Sequence, residues 1–137
     1  MNTKTDDEDL LDNKDARGDL VIRTLAMPSD TNPNGDIFGG WVLSQMDIAG
    51  GIATKRLAKG RTVTIAVDAM TFHLPVFVGD VLCCYAEIIK VGRTSIQTKI
   101  EAWAVRQYHT ERVKVTEGIF TYVATTEDRV PRNVEQK

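Results

Sequence analysis

Hydrophobic spacing separates one helical segment from the rest of the chain. After residue 38 a long apolar segment begins, and its apolar residues recur every three or four positions, which is the period of a helix. The recurring positions are Val42, Met46, Ala49, Ala53 and Leu57. We therefore predict a single long helix that ends near Gly60.

The remaining apolar residues follow the pattern of β-strands. From Ser95 the even positions up to 104 are apolar or small, and the odd positions are mostly polar. This alternation predicts a strand with one covered face and one wet face. Four other runs rich in strand-forming residues are predicted over 19–27, 62–72, 81–91 and 113–125. The element order is one strand, one helix and four strands, which indicates an α+β fold with a helix against an antiparallel sheet.

The predicted helix is apolar on nearly every side. Between Asp36 and Lys55 the only charged residue is Asp47. A helix of this kind is buried on nearly all sides, whereas a single sheet covers only one of them. We therefore expect a second copy of the chain to cover the other side, so that a homodimer is the minimal unit.

The length of 137 residues is that of one domain. Residues 1–18 are mostly polar, with an excess of acidic groups, and are predicted to be a disordered acidic tail. The folded domain is predicted over 19–125, followed by a polar C-terminal tail over 126–137 that frays. The whole chain has 17 basic and 19 acidic residues, a balance that argues against nucleic acid binding.

Several classes of protein are excluded by what the sequence lacks. The acidic N-terminus does not resemble a secretory signal, and no run of about 18 apolar residues predicts a membrane span. Cys83 and Cys84 are the only cysteines, so a disulfide framework is not expected and a cytoplasmic setting fits. His73 and His109 do not have metal-ligand spacing with these cysteines, so no metal site is expected.

Asp47 is the first candidate for function. Asp costs about 0.5–0.7 kcal/mol relative to Ala in a helix interior, and the residues on its face are apolar or small: Leu43, Gly50 and Thr54. Burial of an ionised carboxylate is expensive, and such groups are enriched at active sites. The alternatives are a buried Asp bonded to a structural partner, or one turned to solvent at the helix edge.

The glycines that open the helix are the second candidate. Gly39 and Gly40 would let a ligand approach free backbone N–H groups, which suit a developing oxyanion; a plain turn is the alternative. Gly40 and Asp47 lie two turns apart on one face, about 10 Å along the axis. That separation is too long for one reacting carbonyl. Antiparallel helices of a dimer could bring them together, which favours a site between subunits.

Two polar loops supply further candidates. The Asn32 side chain can donate and accept, and could orient a water or a carbonyl, although an Asx turn is the stronger local interpretation. The hairpin from Lys90 to Ser95 offers two cations, Lys90 and Arg93, with the hydroxyl groups of Thr94 and Ser95. These groups suit phosphate; an ordinary polar hairpin is the alternative.

Several of these segments together resemble the hot-dog-fold acyl-CoA thioesterases, most closely the YciA-type family. The resemblance runs from about Leu20 to Ala124. The matching segments are RTLAMPSDTN at 23–32, GDIFGGW at 35–41, SQMD at 44–47, VGDV at 78–81 and KVGRTS at 90–95. The resemblance implies one long central helix wrapped by a five- to six-stranded antiparallel sheet. It also implies dimerisation into a continuous sheet and, commonly, a trimer of dimers.

The same resemblance implies hydrolysis of an acyl-CoA thioester to free CoA and a carboxylic acid, without a cofactor because CoA is part of the substrate. The family's helix aspartate maps onto Asp47, as general base or as a nucleophile that forms an anhydride. The family's loop asparagine maps onto Asn32 of the facing subunit, and Gly39 and Gly40 would bind the oxyanion. The CoA phosphates would meet the hairpin residues Lys90, Arg93, Thr94 and Ser95.

Two rival functions share this fold. A hot-dog enoyl-CoA hydratase or dehydratase normally pairs a histidine with an acid, and no histidine lies in the helix or its entry loop. A non-catalytic acyl-CoA-binding regulator would usually need an output domain. We therefore expect a cytoplasmic thioesterase of broad acyl preference, whose partners are acyl-CoA and copies of itself, without nucleic acid or membrane.

Overall fold

One long helix and five strands make up the fold, as seen in a computed structural model that describes residues 16–134. The predicted acidic tail lies outside the described residues up to residue 15, as does the end of the chain from 135. The elements are β1 (Asp19–Leu25), a short 3₁₀ helix (Pro28–Asp30), α1 (Gly39–Ala58), β2 (Thr62–Phe72), β3 (Val81–Val91), β4 (Ser95–Val105) and β5 (Arg112–Ala124). The predicted order of elements is confirmed.

The five strands form a single antiparallel sheet in the order β1-β3-β4-β5-β2. The helix α1 contacts all five strands, so the sheet wraps around it as expected. The edges of the sheet are β1 and β2. Because an edge strand has unpaired N–H and C=O groups, either edge could extend the sheet into another chain.

The core lies between α1 and the concave face of the sheet. The even positions of β4 are fully buried, as the alternation predicted: Ile96, Thr98, Ile100, Ala102 and Ala104. At Gly50 the helix approaches the sheet closely, since a Cβ there would lie 2.1 Å from the hydroxyl oxygen of Tyr122. A glycine at this position therefore sets the distance between α1 and β5.

The helix is covered on one side only within a single chain. Ile48 on α1 is 49% exposed, and Ile65 on the edge strand β2 is 57% exposed. Contiguous apolar side chains that are exposed to solvent indicate a contact with another protein. No helix among residues 16–134 is long and apolar enough to cross a membrane.

The segment after β5 does not fray, so that prediction is wrong for residues 126–134. Arg132 Nη2 donates a hydrogen bond of 2.9 Å to the carbonyl oxygen of Ala58, at the end of α1. The N–H of Val134 donates to the carbonyl oxygen of Arg93 at 2.8 Å, and Val134 is buried. A polar composition predicted a loose tail, but a few specific backbone contacts hold this segment in place.

The described end of the predicted acidic tail is also ordered against the sheet. Arg17 forms an ion pair of 2.8 Å with Glu87 on β3, and its N–H donates to Glu101 Oε1 on β4 at 3.4 Å. Gly18 has a φ of +91° and lies against the backbone of Ala86. Residues 16–18 therefore belong with the folded domain.

Candidate active site

The Asp47 carboxylate is anchored through one of its two oxygens. Oδ1 accepts a hydrogen bond of 2.7 Å from the hydroxyl of Thr64 on β2 and one of 2.8 Å from the hydroxyl of Tyr122 on β5. Within residues 16–134 no donor contacts Oδ2. The half-buried side chain is thus fixed in direction while one oxygen stays open to accept a proton.

Tyr122 serves as a hydrogen-bond donor at this site. Its side chain is buried, and burial together with the hydrogen bond to Asp47 raises the pKa of Tyr122 far above its usual range. The phenol therefore stays protonated at any physiological pH. A protonated phenol donates to the carboxylate, so Tyr122 holds the Asp47 side chain in one orientation.

A small cavity of about 260 Å³ lies in front of the carboxylate. Its lining residues are Gly40, Leu43, Ser44, Asp47, Thr64, Val67 and Phe120. Gly40 and Asp47 both border it, which agrees with their predicted place on one helix face. The cavity combines an apolar wall with one open carboxylate oxygen, an arrangement that can hold a water against a bound acyl group.

Asn32 lies elsewhere in the chain, in a second cavity of about 340 Å³. That cavity is lined by Asn32, Asp36, Ile37, Gly39, Val42, Phe72, His73, Leu74, Pro75, Val76 and Val115. Asp47 is not among these residues, so a single chain does not bring Asn32 and Asp47 to one cavity.

The Asn32 side chain makes the Asx-type turn that its loop position favoured. Its Oδ1 accepts from the N–H of Asn34 at 2.9 Å and from the N–H of Asp36 at 3.1 Å. The carboxamide oxygen is therefore occupied, and the NH₂ group is the part that can reach a ligand. Asn32 can act as a donor toward a carbonyl oxygen rather than as an acceptor for a water.

The first turn of α1 presents two backbone donors. Phe38 precedes the helix, and its carbonyl accepts from the N–H groups of Trp41 and Val42. In the part of the chain that the structure describes, the N–H groups of Gly39 and Gly40 have no acceptor. Gly39 borders the Asn32 cavity and Gly40 borders the Asp47 cavity. The helix N-terminus thus faces both cavities.

None of the residues of the predicted phosphate-binding hairpin lines either cavity. Lys90 and Arg93 are exposed, and Thr94 and Ser95 are half-buried. The N–H of Gly92 closes the turn on the carbonyl of Ser95 at 2.7 Å. The hairpin is a hydrogen-bonded turn with two exposed cations.

The two cysteines are not placed to act as nucleophiles. Both are free and buried in the sheet, and neither borders the cavity of Asp47. Burial raises the pKa of the Cys84 thiol to about 12. Among residues 16–134 no group of three or more His, Cys, Asp or Glu side chains is arranged as a metal site.

Three residues near Asp47 or Asn32 were not among the candidates from the sequence. Thr64 and Tyr122 donate hydrogen bonds to Asp47, and His73 borders the Asn32 cavity. Tyr122 could have been found from its even position on β5, which shares the buried face of Phe120 and Ala124. The contacts of Thr64 depend on where β2 crosses α1, and no local pattern indicates that.

Comparison with known proteins assigns the fold to one family. Residues 34–109 match the model of the thioesterase superfamily. The acyl-CoA thioester hydrolase YciA of Salmonella typhimurium is 57% identical over 120 residues, which cover 85% of this chain and 90% of that protein.

Solved structures show the same likeness. A hexameric broad specificity acyl-coenzyme A thioesterase, crystallised as a variant with one aspartate replaced by alanine, superposes with a TM-score of 0.86 at 49% identity, covering 88% of this chain and 89% of that one. A hexameric hot-dog-fold thioesterase of Campylobacter jejuni gives a TM-score of 0.81 at 44% identity, covering 86% of this chain and 91% of that one.

Proposed function

We propose a mechanism for this protein, which belongs to the thioesterase superfamily and is a hot-dog-fold acyl-CoA thioester hydrolase. The family, the fold and the hydrolase activity expected from the sequence are confirmed by these relatives. The hydratase and the non-catalytic regulator are therefore set aside. The residues that carry out the reaction, and the assembly in which they do so, are proposed from the contacts of Asp47, Asn32 and the helix N-terminus.

Asp47 is the general base in this proposal, and the asymmetric bonding of its carboxylate is the observation that carries it. Thr64 and Tyr122 hold Oδ1, whereas Oδ2 is open toward a cavity with an apolar wall. A positioned base needs this combination, because one oxygen must fix the geometry and the other must take the proton. General-base catalysis typically contributes about 10²–10⁴-fold.

The chemical steps are set by that geometry. Oδ2 of Asp47 removes a proton from a water, and the water oxygen forms a bond to the thioester carbonyl carbon. The carbonyl oxygen becomes an oxyanion and accepts hydrogen bonds from backbone N–H groups at Gly39 and Gly40 and from the Asn32 carboxamide. The oxyanion then re-forms the C=O bond as the C–S bond breaks, and CoA leaves as a thiolate. The proton on Asp47 passes to that thiolate or to solvent, which restores the base. The chain's own residues suffice for these steps, so the proposal includes no cofactor.

The site is shared between two chains. Within one chain Asn32 and Asp47 border different cavities, so the donor and the base meet only if they come from different subunits. The antiparallel pairing of two α1 helices would place the Asn32 cavity of one subunit against the Asp47 cavity of the other. The homodimer is then the smallest active unit.

The edge strand β2 is the proposed dimer contact. Ile65 on β2 and Ile48 on α1 are exposed apolar residues beside the catalytic cavity, and β2 has an unpaired edge. Pairing of β2 with its copy would bury these side chains and make one continuous sheet. Because the two crystallised relatives are hexameric, we extend the proposal to a trimer of dimers.

The hairpin of Lys90, Arg93, Thr94 and Ser95 binds the phosphate groups of CoA in this proposal. Its two exposed cations and two hydroxyl groups are the chemistry that phosphate recognition uses. The free, buried thiols of Cys83 and Cys84 are consistent with the reducing cytoplasm, where we place the enzyme.

Thiol release from acyl-CoA, followed with a thiol reagent, tests the assignment of the base. We expect Asp47→Asn, which keeps the shape of the side chain, to lose about 10²–10⁴-fold in kcat. Asp128→Asn, the same change at an exposed position that borders neither cavity, serves as the matched control and should keep nearly full activity. Full activity of Asp47→Asn would overturn the proposal. Single turnover in ¹⁸O-labelled water would reveal label in Asp47 only if an anhydride forms and water attacks its Asp47 carbonyl carbon.

A further inference from the structure

Residues 125–134, which we call the C-terminal strap, fold back across the end of the domain after β5. The strap turns at Thr125 and Pro131, which form an isolated β-bridge. The N–H of Arg132 then donates to the carbonyl oxygen of Ala124 at 2.9 Å. This places the last described residues beside the end of α1 and the hairpin between β3 and β4.

Arg132 closes the C-terminal end of α1. Its Nη2 donates to the carbonyl oxygen of Ala58 at 2.9 Å, and its Nε donates to the carbonyl oxygen of Thr125 at 3.2 Å. The last carbonyl groups of a helix have no partner within the helix, and a cation there interacts favourably with the helix dipole. The guanidinium thus ties the strap to the helix. At Gly60 a Cβ would lie 2.6 Å from Nη2, so a side chain there would displace the guanidinium.

Val134 connects the strap to the hairpin. Its N–H donates to the carbonyl oxygen of Arg93 at 2.8 Å. Its side chain is 6% exposed and packs in one small core cluster with Ala58, Ile96 and Ala124. The strap therefore fixes the backbone of Arg93 through a hydrogen bond. The neighbouring carbonyl oxygen of Thr94 accepts a hydrogen bond from the N–H of Ala124 on β5.

We propose that Arg132 and Val134 are positioning residues that fix the hairpin cation Arg93 for binding the phosphate groups of acyl-CoA. The inference rests on the proposed role of that hairpin. A cation on a preordered backbone binds its ligand without the entropic cost of ordering the loop. Removal of the strap contacts leaves Arg93 present but mobile, so binding of the phosphate-bearing end weakens while the reacting end of the substrate is unaffected.

Two thioesters with the same acyl group separate positioning from general destabilisation. Acyl-CoA carries the phosphates, whereas the acyl thioester of N-acetylcysteamine lacks them. For Arg132→Ala we expect KM for acyl-CoA to rise about three- to tenfold, with kcat unchanged and with kcat/KM for the short thioester unchanged. Val134→Ala should move KM in the same direction by a smaller factor. Arg129→Asn removes one cation from the strap at an exposed position with positive φ and should leave both substrates unaffected.

Gly60→Ala provides a second variant in case Arg132→Ala folds poorly, because its Cβ displaces the guanidinium without removing it. Arg93→Ala tests the hairpin itself and must raise KM for acyl-CoA alone if the hairpin binds phosphate. If Arg93→Ala raises KM for acyl-CoA alone but neither Arg132→Ala nor Gly60→Ala does so, the positioning role of the strap is overturned and the hairpin assignment stands. If Arg93→Ala weakens the reaction of both thioesters equally, or changes neither, the hairpin does not bind phosphate, and the positioning role is overturned with it.

Discussion

Replacing Tyr122 by Phe removes a single oxygen from the catalytic site. That oxygen donates the 2.8 Å hydrogen bond to Asp47 Oδ1 and lies 3.0 Å from the carbonyl oxygen of the same residue. The ring, which fills the core beneath Gly50, is retained. The substitution therefore leaves the packing of α1 on the sheet intact and removes one of the two donors that fix the base.

The size of the effect can be worked from these contacts. A hydrogen bond to a charged group is worth about 1.5–3 kcal/mol, and about 1.4 kcal/mol corresponds to a tenfold change in rate. If the bond acts in full on the positioned carboxylate, kcat falls about 10- to 100-fold. The hydroxyl of Thr64 still donates at 2.7 Å, so the site is weakened rather than lost and KM should change little.

The assay is the initial rate of thiol release across a range of acyl-CoA concentrations. Tyr85→Phe is the matched control, because Tyr85 is also buried but its hydroxyl accepts from Arg112 on other elements. Tyr85→Phe should keep nearly full activity. An unchanged kcat for Tyr122→Phe, or an equal loss for Tyr85→Phe, would refute the view that the Tyr122 hydroxyl holds the base.

Three other outcomes are expected from the core and the buried side chains. Gly50→Ala places a Cβ 2.1 Å from the phenol oxygen of Tyr122, and overpacking of this kind costs about 1–3 kcal/mol. Urea unfolding should show the lower stability, and kcat should fall because Tyr122 is displaced. Asp80→Ala removes one partner of the ion pair between the buried Asp80 and Arg106. The unfolding free energy at fixed protein concentration should fall by about 2–4 kcal/mol, which is less than for a fully buried pair because Arg106 is partly exposed. Burial raises the pKa of both Cys83 and Cys84, so at pH 8 the native protein should react slowly with a thiol reagent, and fast reaction without denaturant would contradict their burial.

The strands and the helix could be predicted from the sequence because their patterns are local. The alternation after Ser95 sets the buried face of β4. The helical period correctly places Val42, Met46 and Ala49 on the buried face of α1, whereas in its second half Thr54 and Ala58 are buried rather than Ala53 and Leu57. The C-terminal strap could not be predicted in this way. Its order depends on Arg132 and Val134 meeting the ends of two remote elements, and a polar composition contains no sign of such contacts.

The candidate site was predictable in part for a similar reason. A lone charge in an apolar helix makes Asp47 a candidate from one segment, whereas the loop pattern at Asn32 favoured an Asx turn and its expected role came from the family resemblance. The donors to Asp47 come from β2 and β5, and their identity depends on how the strands cross the helix. Asn32 and Asp47 were expected from facing subunits, and the two separate cavities within one chain are compatible with that arrangement.

A subunit-mixing experiment tests the shared site most directly. Asp47→Ala removes the base, and Asn32→Asp keeps the oxygen that accepts from Asn34 and Asp36 but removes the NH₂ donor. Each variant alone should be nearly inactive. After the two are denatured together and refolded in equal amounts, half of the dimers contain one chain of each kind, and one of their two sites has both functional groups. The account predicts that the mixture regains about one quarter of the wild-type activity, and no regain from two correctly refolded variants would contradict a site built from two chains.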